Sequence, residues 1–108
     1  MKDKPIIVCL CGSTRFKDVF ERTNKEETLK GNIVLSVGMF GHVDAVGNVV
    51  EKIWLTDEQK VMLDRLHLRK IDLSDEVLIL NVGGYIGEST KRELLYAKEK
   101  NKKIRFLE

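Results

Sequence analysis

The run Pro5-Ile6-Ile7-Val8-Cys9-Leu10 has no charged side chain to turn toward water, and this constrains the fold more than any other stretch of the chain. A strand with one wet face alternates apolar and polar residues. An unbroken apolar run rich in β-branched residues, bounded here by Pro5 and Gly12, suits a strand buried on both faces. Such strands belong to parallel sheets covered by helices, and the rest of the chain supplies them. After the Cys11-Gly12-Ser13-Thr14-Arg15 turn, apolar residues at 16, 19, 20 and 29 and a stop at Gly31 predict a helix over Phe16–Lys30. Ile33–Val37 reads as a second strand. Thr56-Asp57-Glu58-Gln59 is a capping-box signal that opens a helix running to about Asp72. A third strand covers Glu76–Asn81, a helix runs from near Ser89 to near Lys100, and Lys103–Leu107 closes as a last strand.

The order β-α-β-α-β-α-β predicts an α/β, Rossmann-like or flavodoxin-like three-layer sandwich, with a four-stranded parallel sheet and helices on both faces. Residues 38–55 contain Gly38, Gly41 and Gly47 and no clean period, and they read as the longest irregular stretch. No repeat, linker or low-complexity segment divides the 108 residues, so a single domain over 1–108 is expected. A sheet this small is expected to bury an edge or helix against a second copy, as a homo-oligomer.

Charge narrows the function. The 19 basic and 17 acidic residues are mixed along the chain and leave a net charge of +2, which is no nucleic-acid footprint. The one basic run, Lys98–Lys103, reads as a solvated helix end with cations at the negative dipole terminus. Met1-Lys2-Asp3-Lys4 precedes only a short apolar run, neither signal peptide nor membrane span. A cytoplasmic, reducing location is therefore expected. Cys9 and Cys11 share a face of the first strand but lie too close in sequence for an ordinary disulfide. No His or further Cys stands at zinc-like spacing from them, so neither metal nor cofactor is expected.

Ligands of open parallel sheets bind beyond the carboxyl ends of the strands, where the strand order switches. That places Gly12–Arg15, Gly38–His42 and Val82–Glu93 around one crevice. In the first turn Gly12 allows a tight backbone, Ser13 and Thr14 offer hydroxyls, and Arg15 offers a fork for an oxyanion. Equally, Ser13 or Thr14 merely caps the helix. No P-loop or dinucleotide fingerprint is present. The third turn, with Gly83, Gly84 and Gly87, also opens a helix. On that helix Glu93 lies at the inward margin, with Ser89 and Thr90 one turn before it. Either it faces the crevice, or Thr90-Lys91-Arg92-Glu93 is a second capping box. His67 falls on the inward face of the second long helix, where a satisfied core histidine is the ordinary alternative. His42 lies in the loop after the second strand. Asp72 and Asp75 read as turn residues remote from the crevice. Tyr85 and Trp54 are candidates to stack on a base or to pack an interface.

The segments Cys11-Gly12-Ser13-Thr14-Arg15, Ser74-Asp75-Glu76-Val77-Leu78-Ile79-Leu80 and Gly87-Glu88-Ser89-Thr90-Lys91-Arg92-Glu93-Leu94-Leu95-Tyr96-Ala97 resemble, in order, motifs of the nucleoside 2-deoxyribosyltransferase-like superfamily. That group includes 2′-deoxynucleoside 5′-phosphate N-hydrolases. Gly83-Gly84-x-x-Gly87 with Glu93 is also similar, more loosely, to the glutamate motif of lysine-decarboxylase-like phosphoribohydrolases. The resemblance implies Glu93 as nucleophile, a phosphate or sugar site at Gly12, Ser13 and Arg15, and a further contact at Ser89. With Thr14, His42, Gly84 and Gly87 these form the expected substrate site. The family carries a catalytic aspartate eight residues before the aspartate that introduces the third strand, and counting back from Asp75 lands on His67.

The implied chemistry is N-glycosidic cleavage of, or deoxyribosyl transfer from, a deoxynucleoside or its 5′-monophosphate, with His67 or His42 as acid. The partner is then a small-molecule nucleoside or nucleotide, with no nucleic acid and no membrane. The rival readings are a nucleotide-binding or sensing module without turnover and a purely structural or interaction protein.

Overall fold

The computed structural model describes residues 4–38, 42–43, 49–51 and 55–108, with side chains over 4–38 and 55–108. In chain order its elements are β1 (Ile7–Cys11), α1 (Lys17–Leu29), β2 (Ile33–Leu35), β3 (His42–Val43), β4 (Val49–Glu51), α2 (Asp57–Leu73), β5 (Glu76–Ile79), α3 (Glu88–Glu99) and β6 (Lys103–Phe106). The main sheet runs β2-β1-β5-β6, all parallel, as the alternating pattern predicts. β1 lies between two strands, and its apolar run is buried on both sides: Val8, Cys9, Leu10 and Cys11 are all 0% exposed.

Alternation along the strands sorts the core into two layers. Val8, Leu10, Leu78 and Leu80 turn to one face and meet Phe20 of α1. Cys9, Cys11, Val77 and Ile79 turn to the other and meet Ile71 of α2 and Ala97 of α3. The result is the expected three-layer α/β sandwich. Burying each large aliphatic side chain contributes roughly 1.5–3 kcal/mol, which sets the register against slippage. The chain leaves β1 by way of α1 to reach β2, then returns by way of α2 to β5 on the other side of β1. The switch in strand order therefore falls between β1 and β5.

The helix signals are realised in detail. Thr56 Oγ1 accepts from the Gln59 amide at 3.0 Å, and Gln59 Oε1 accepts from the Thr56 amide at 2.9 Å. The basic run is more engaged than a solvated helix end. Lys102 Nζ donates to the Asp72 and Ser74 carbonyls at 3.1 and 2.8 Å, closing the end of α2, and Lys103 pairs with Glu76 at 3.2 Å.

Part of the stretch read as irregular, 38–55, forms a short antiparallel ladder between β3 and β4, with His42 opposite Glu51 and Val43 opposite Val49. Trp54 and the other residues of 39–41, 44–48 and 52–54 lie outside the described residues. Among the described residues no helix is long and apolar enough to cross a membrane.

Candidate active site

Four side chains from three elements converge on the α2–α3 face of the sheet, beside the switch point. Cys9 and Cys11 stand two apart on β1, so the pleat points both sulfurs the same way. His67 comes from the inward face of α2 and is 6% exposed. Its Nε2 lies 3.4 Å from Cys11 Sγ and 3.7 Å from Cys9 Sγ. Glu93, half-buried on α3, lies within the electrostatic field of His67 and Cys9.

The capping alternative for Glu93 does not hold. α3 begins at Glu88 behind an N-terminal residue, Gly87, that offers no side-chain cap, so Thr90 is already inside the helix. The sequence spacing alone also favours an ionised Glu93 near a helix start. In the structure burial outweighs this, against the pull of His67, and pushes its carboxyl up to about 6; the charges of Cys9 and Asp64 act in the same direction as burial. The carboxylate still predominates at neutral pH.

The other groups shift together. Burial disfavours a charged His67, but its hydrogen bond with Cys9 and the Glu93 charge prevail and raise its pKa. The thiols divide between them: interaction with Cys11 lowers Cys9 against the effect of burial, while Cys9 and then burial push Cys11 up.

A cleft of about 240 Å³ opens onto Glu93 between α2 and α3, lined also by Asp64, Ser89, Arg92, Tyr96 and Glu99. Ser89 thus shares a cleft with Glu93, its Oγ accepting from Arg92 Nη2 at 3.2 Å. Tyr96 is tied back at the far end, donating to Asp72 Oδ1 at 2.6 Å. Asp75 is structural, its Oδ2 accepting from the Ile7 amide at 2.9 Å, whereas Asp72 lies in the last helical turn of α2 and not in a loop turn, and holds the cleft residue Tyr96.

The first and third turns meet through Tyr85. Arg15 lies over its ring at 5.1 Å, and Phe16 meets it edge-on at 6.1 Å between centroids. Ser13 shapes its own turn, its Oγ accepting from the Arg15 amide at 3.4 Å, and Thr14 is exposed. α1 has no side-chain cap, which leaves its first amides facing the same turn. Gly12 is required by packing, since a Cβ there would sit 3.0 Å from Leu80 Cβ. Gly84 takes a left-handed φ of 80° in the 3₁₀ turn Val82–Gly84, and Gly87 precedes α3. The His42 side chain lies outside the described residues.

Cys9 and Cys11 were not singled out by sequence as site residues, nor were Asp64 and Arg92. The two-residue spacing on a strand was the available signal for the cysteines, but nothing local pairs them with His67, more than fifty positions away. No protein-family model and no curated protein matches the chain.

Proposed function

We propose that the protein breaks the N-glycosidic bond of a deoxynucleoside or deoxynucleoside 5′-monophosphate, with Glu93 as nucleophile. The observation that carries this reading is Glu93, half-buried in the lining of an open cleft and within the electrostatic field of the buried His67. A carboxylate and an imidazole that can carry a proton are the pair that the chemistry needs. Glu93 Oε attacks C1′ as the C1′–N bond breaks. The bonding pair leaves with the base, which takes a proton from His67. Water, or an acceptor base, then attacks C1′ and releases the Glu93 carboxylate, with neutral His67 accepting the proton of that second nucleophile.

The cleft is smaller than the roughly 300–1,000 Å³ of sites that enclose drug-sized ligands, and suits the sugar more than a whole nucleotide. The Arg15–Tyr85 contact and the uncapped start of α1 support an anion or 5′-phosphate site at Gly12–Arg15. The test is incubation with the common deoxynucleosides and their 5′-monophosphates, with free base measured chromatographically. Base release is expected to fall by about 10³-fold or more in Glu93→Gln and by about 10²–10⁴-fold in His67→Gln. Release that persists unchanged in Glu93→Gln, or no release from any of these substrates, overturns the reading.

One observation favours a nucleotide-binding module without turnover: His67 Nε2 is engaged by both buried thiols. Thermal stabilisation by nucleotides, lost in Arg15→Ala and unaccompanied by base release, distinguishes that case.

A further inference from the structure

We propose that Cys9, Cys11 and His67 form a three-ligand binding site for a zinc ion. The three donor atoms, two Sγ and one Nε2, all lie within 4.8 Å of one another and belong to buried residues. With Zn–S near 2.3 Å and Zn–N near 2.0–2.1 Å, a tetrahedral ion holds its S and N ligands about 3.5–3.6 Å apart. The observed separations of 3.4 and 3.7 Å bracket that edge. The donors therefore stand where a zinc ion would require them, with little movement.

The chemistry of the set points the same way. A buried cysteine usually acts as a small hydrophobe. Here two thiols on one face of β1 share the same imidazole nitrogen. Two soft sulfurs and an imidazole suit Zn²⁺ in preference to Mg²⁺ or Ca²⁺. Binding replaces the thiol protons by metal, and those protons leave to solvent. The neighbouring cleft between α2 and α3 is acidic, with Asp64, Glu93 and Glu99 against a single basic residue, Arg92, and raises the local concentration of cations.

The site goes beyond the glycosidase reading and does not rest on it. A bound ion takes His67 out of the proposed reaction, so zinc-loaded protein is an inactive form of such an enzyme. The two proposals are separable, because metal binding is measured without substrate and base release is measured on chelator-treated protein.

The decisive experiment titrates reduced, metal-free protein with Co²⁺ and then displaces it with Zn²⁺. One Co²⁺ per chain is expected, with the intense visible absorption of tetrahedral cobalt and a thiolate charge-transfer band, both lost on zinc addition. Cys11→Ser and His67→Gln are each expected to weaken binding beyond the roughly 10–100-fold that follows loss of an outer partner of a metal ligand. Circular dichroism establishes that these variants fold. A measurement on the unaltered chain stands beside them: zinc is expected to slow alkylation of both cysteines. Failure to take up cobalt, a six-coordinate spectrum, or alkylation indifferent to zinc overturns the proposal.

Discussion

Gly12 closes the turn after β1 and shows how one missing side chain shapes a candidate ligand site. A methyl group there meets Leu80 Cβ at 3.0 Å and the Leu80 carbonyl at 3.3 Å, both parts of the neighbouring strand path and neither able to swing aside. Gly12→Ala is therefore expected to destabilise by about 1–3 kcal/mol, as overpacking does elsewhere, and a lowered urea midpoint with unchanged slope would register it. The glycine that reads as a phosphate-loop residue is thus required first by the sheet. At Glu93 the balance runs the other way. Its helix begins two residues before Thr90, so capping does not need it, and its half-buried position beside His67 is left to be explained by chemistry.

Among the elements, α2 depends most visibly on a few residues at its start. Both halves of the Thr56–Gln59 capping box are made, and the helix carries His67 into the site. Thr56→Ala is expected to cost about 1 kcal/mol, seen as a modest drop in thermal midpoint and faster amide exchange in the first turn of α2. This helix was legible in the sequence because its start signal is local. The four main strands were legible for a similar reason: an apolar run between breakers needs no partner to be recognised. The β3–β4 ladder was not, since its strands are two and three residues long and lie amid glycines. Nor was the site fully legible. Topology alone brought Gly12–Arg15 and Gly83–Glu93 to one end of the sheet. The meeting of Cys9, Cys11 and His67 depends on which faces of β1 and α2 oppose each other, and no short-range pattern encodes that.

Across the whole molecule, one charged network joins the first helix to the last strand. Arg105 Nη2 donates to Glu27 Oε1 at 2.6 Å and its Nε to Glu76 Oε2 at 3.0 Å, while Lys30 Nζ lies 2.8 Å from Glu27 Oε2. Burial opposes ionisation of Glu27, but hydrogen bonds from Arg105, Lys30 and Asn32 outweigh it and hold the carboxyl at about 2, below its ordinary 4.5. A carboxyl lowered by folding stabilises fully above its unfolded value, and that contribution is lost as pH falls through the folded one. Folding stability is thus expected to decline between pH 4.5 and about 2. In a series of urea titrations across that range, Glu27→Gln should be less stable at neutral pH and show a shallower acid decline.

The strand order has a consequence for how the chain comes to be made. β1 is synthesised before both of its partners, and pairs on one edge with Ile33–Leu35 and on the other with Glu76–Ile79. While the intervening residues are being added, an apolar strand with an unmatched edge stands open to any neighbouring chain. The core strand is completed only once Glu76–Ile79 has been made, so the nascent protein's solubility rests on how quickly α1 and β2 cover β1 and on what else in the cell shields its other side.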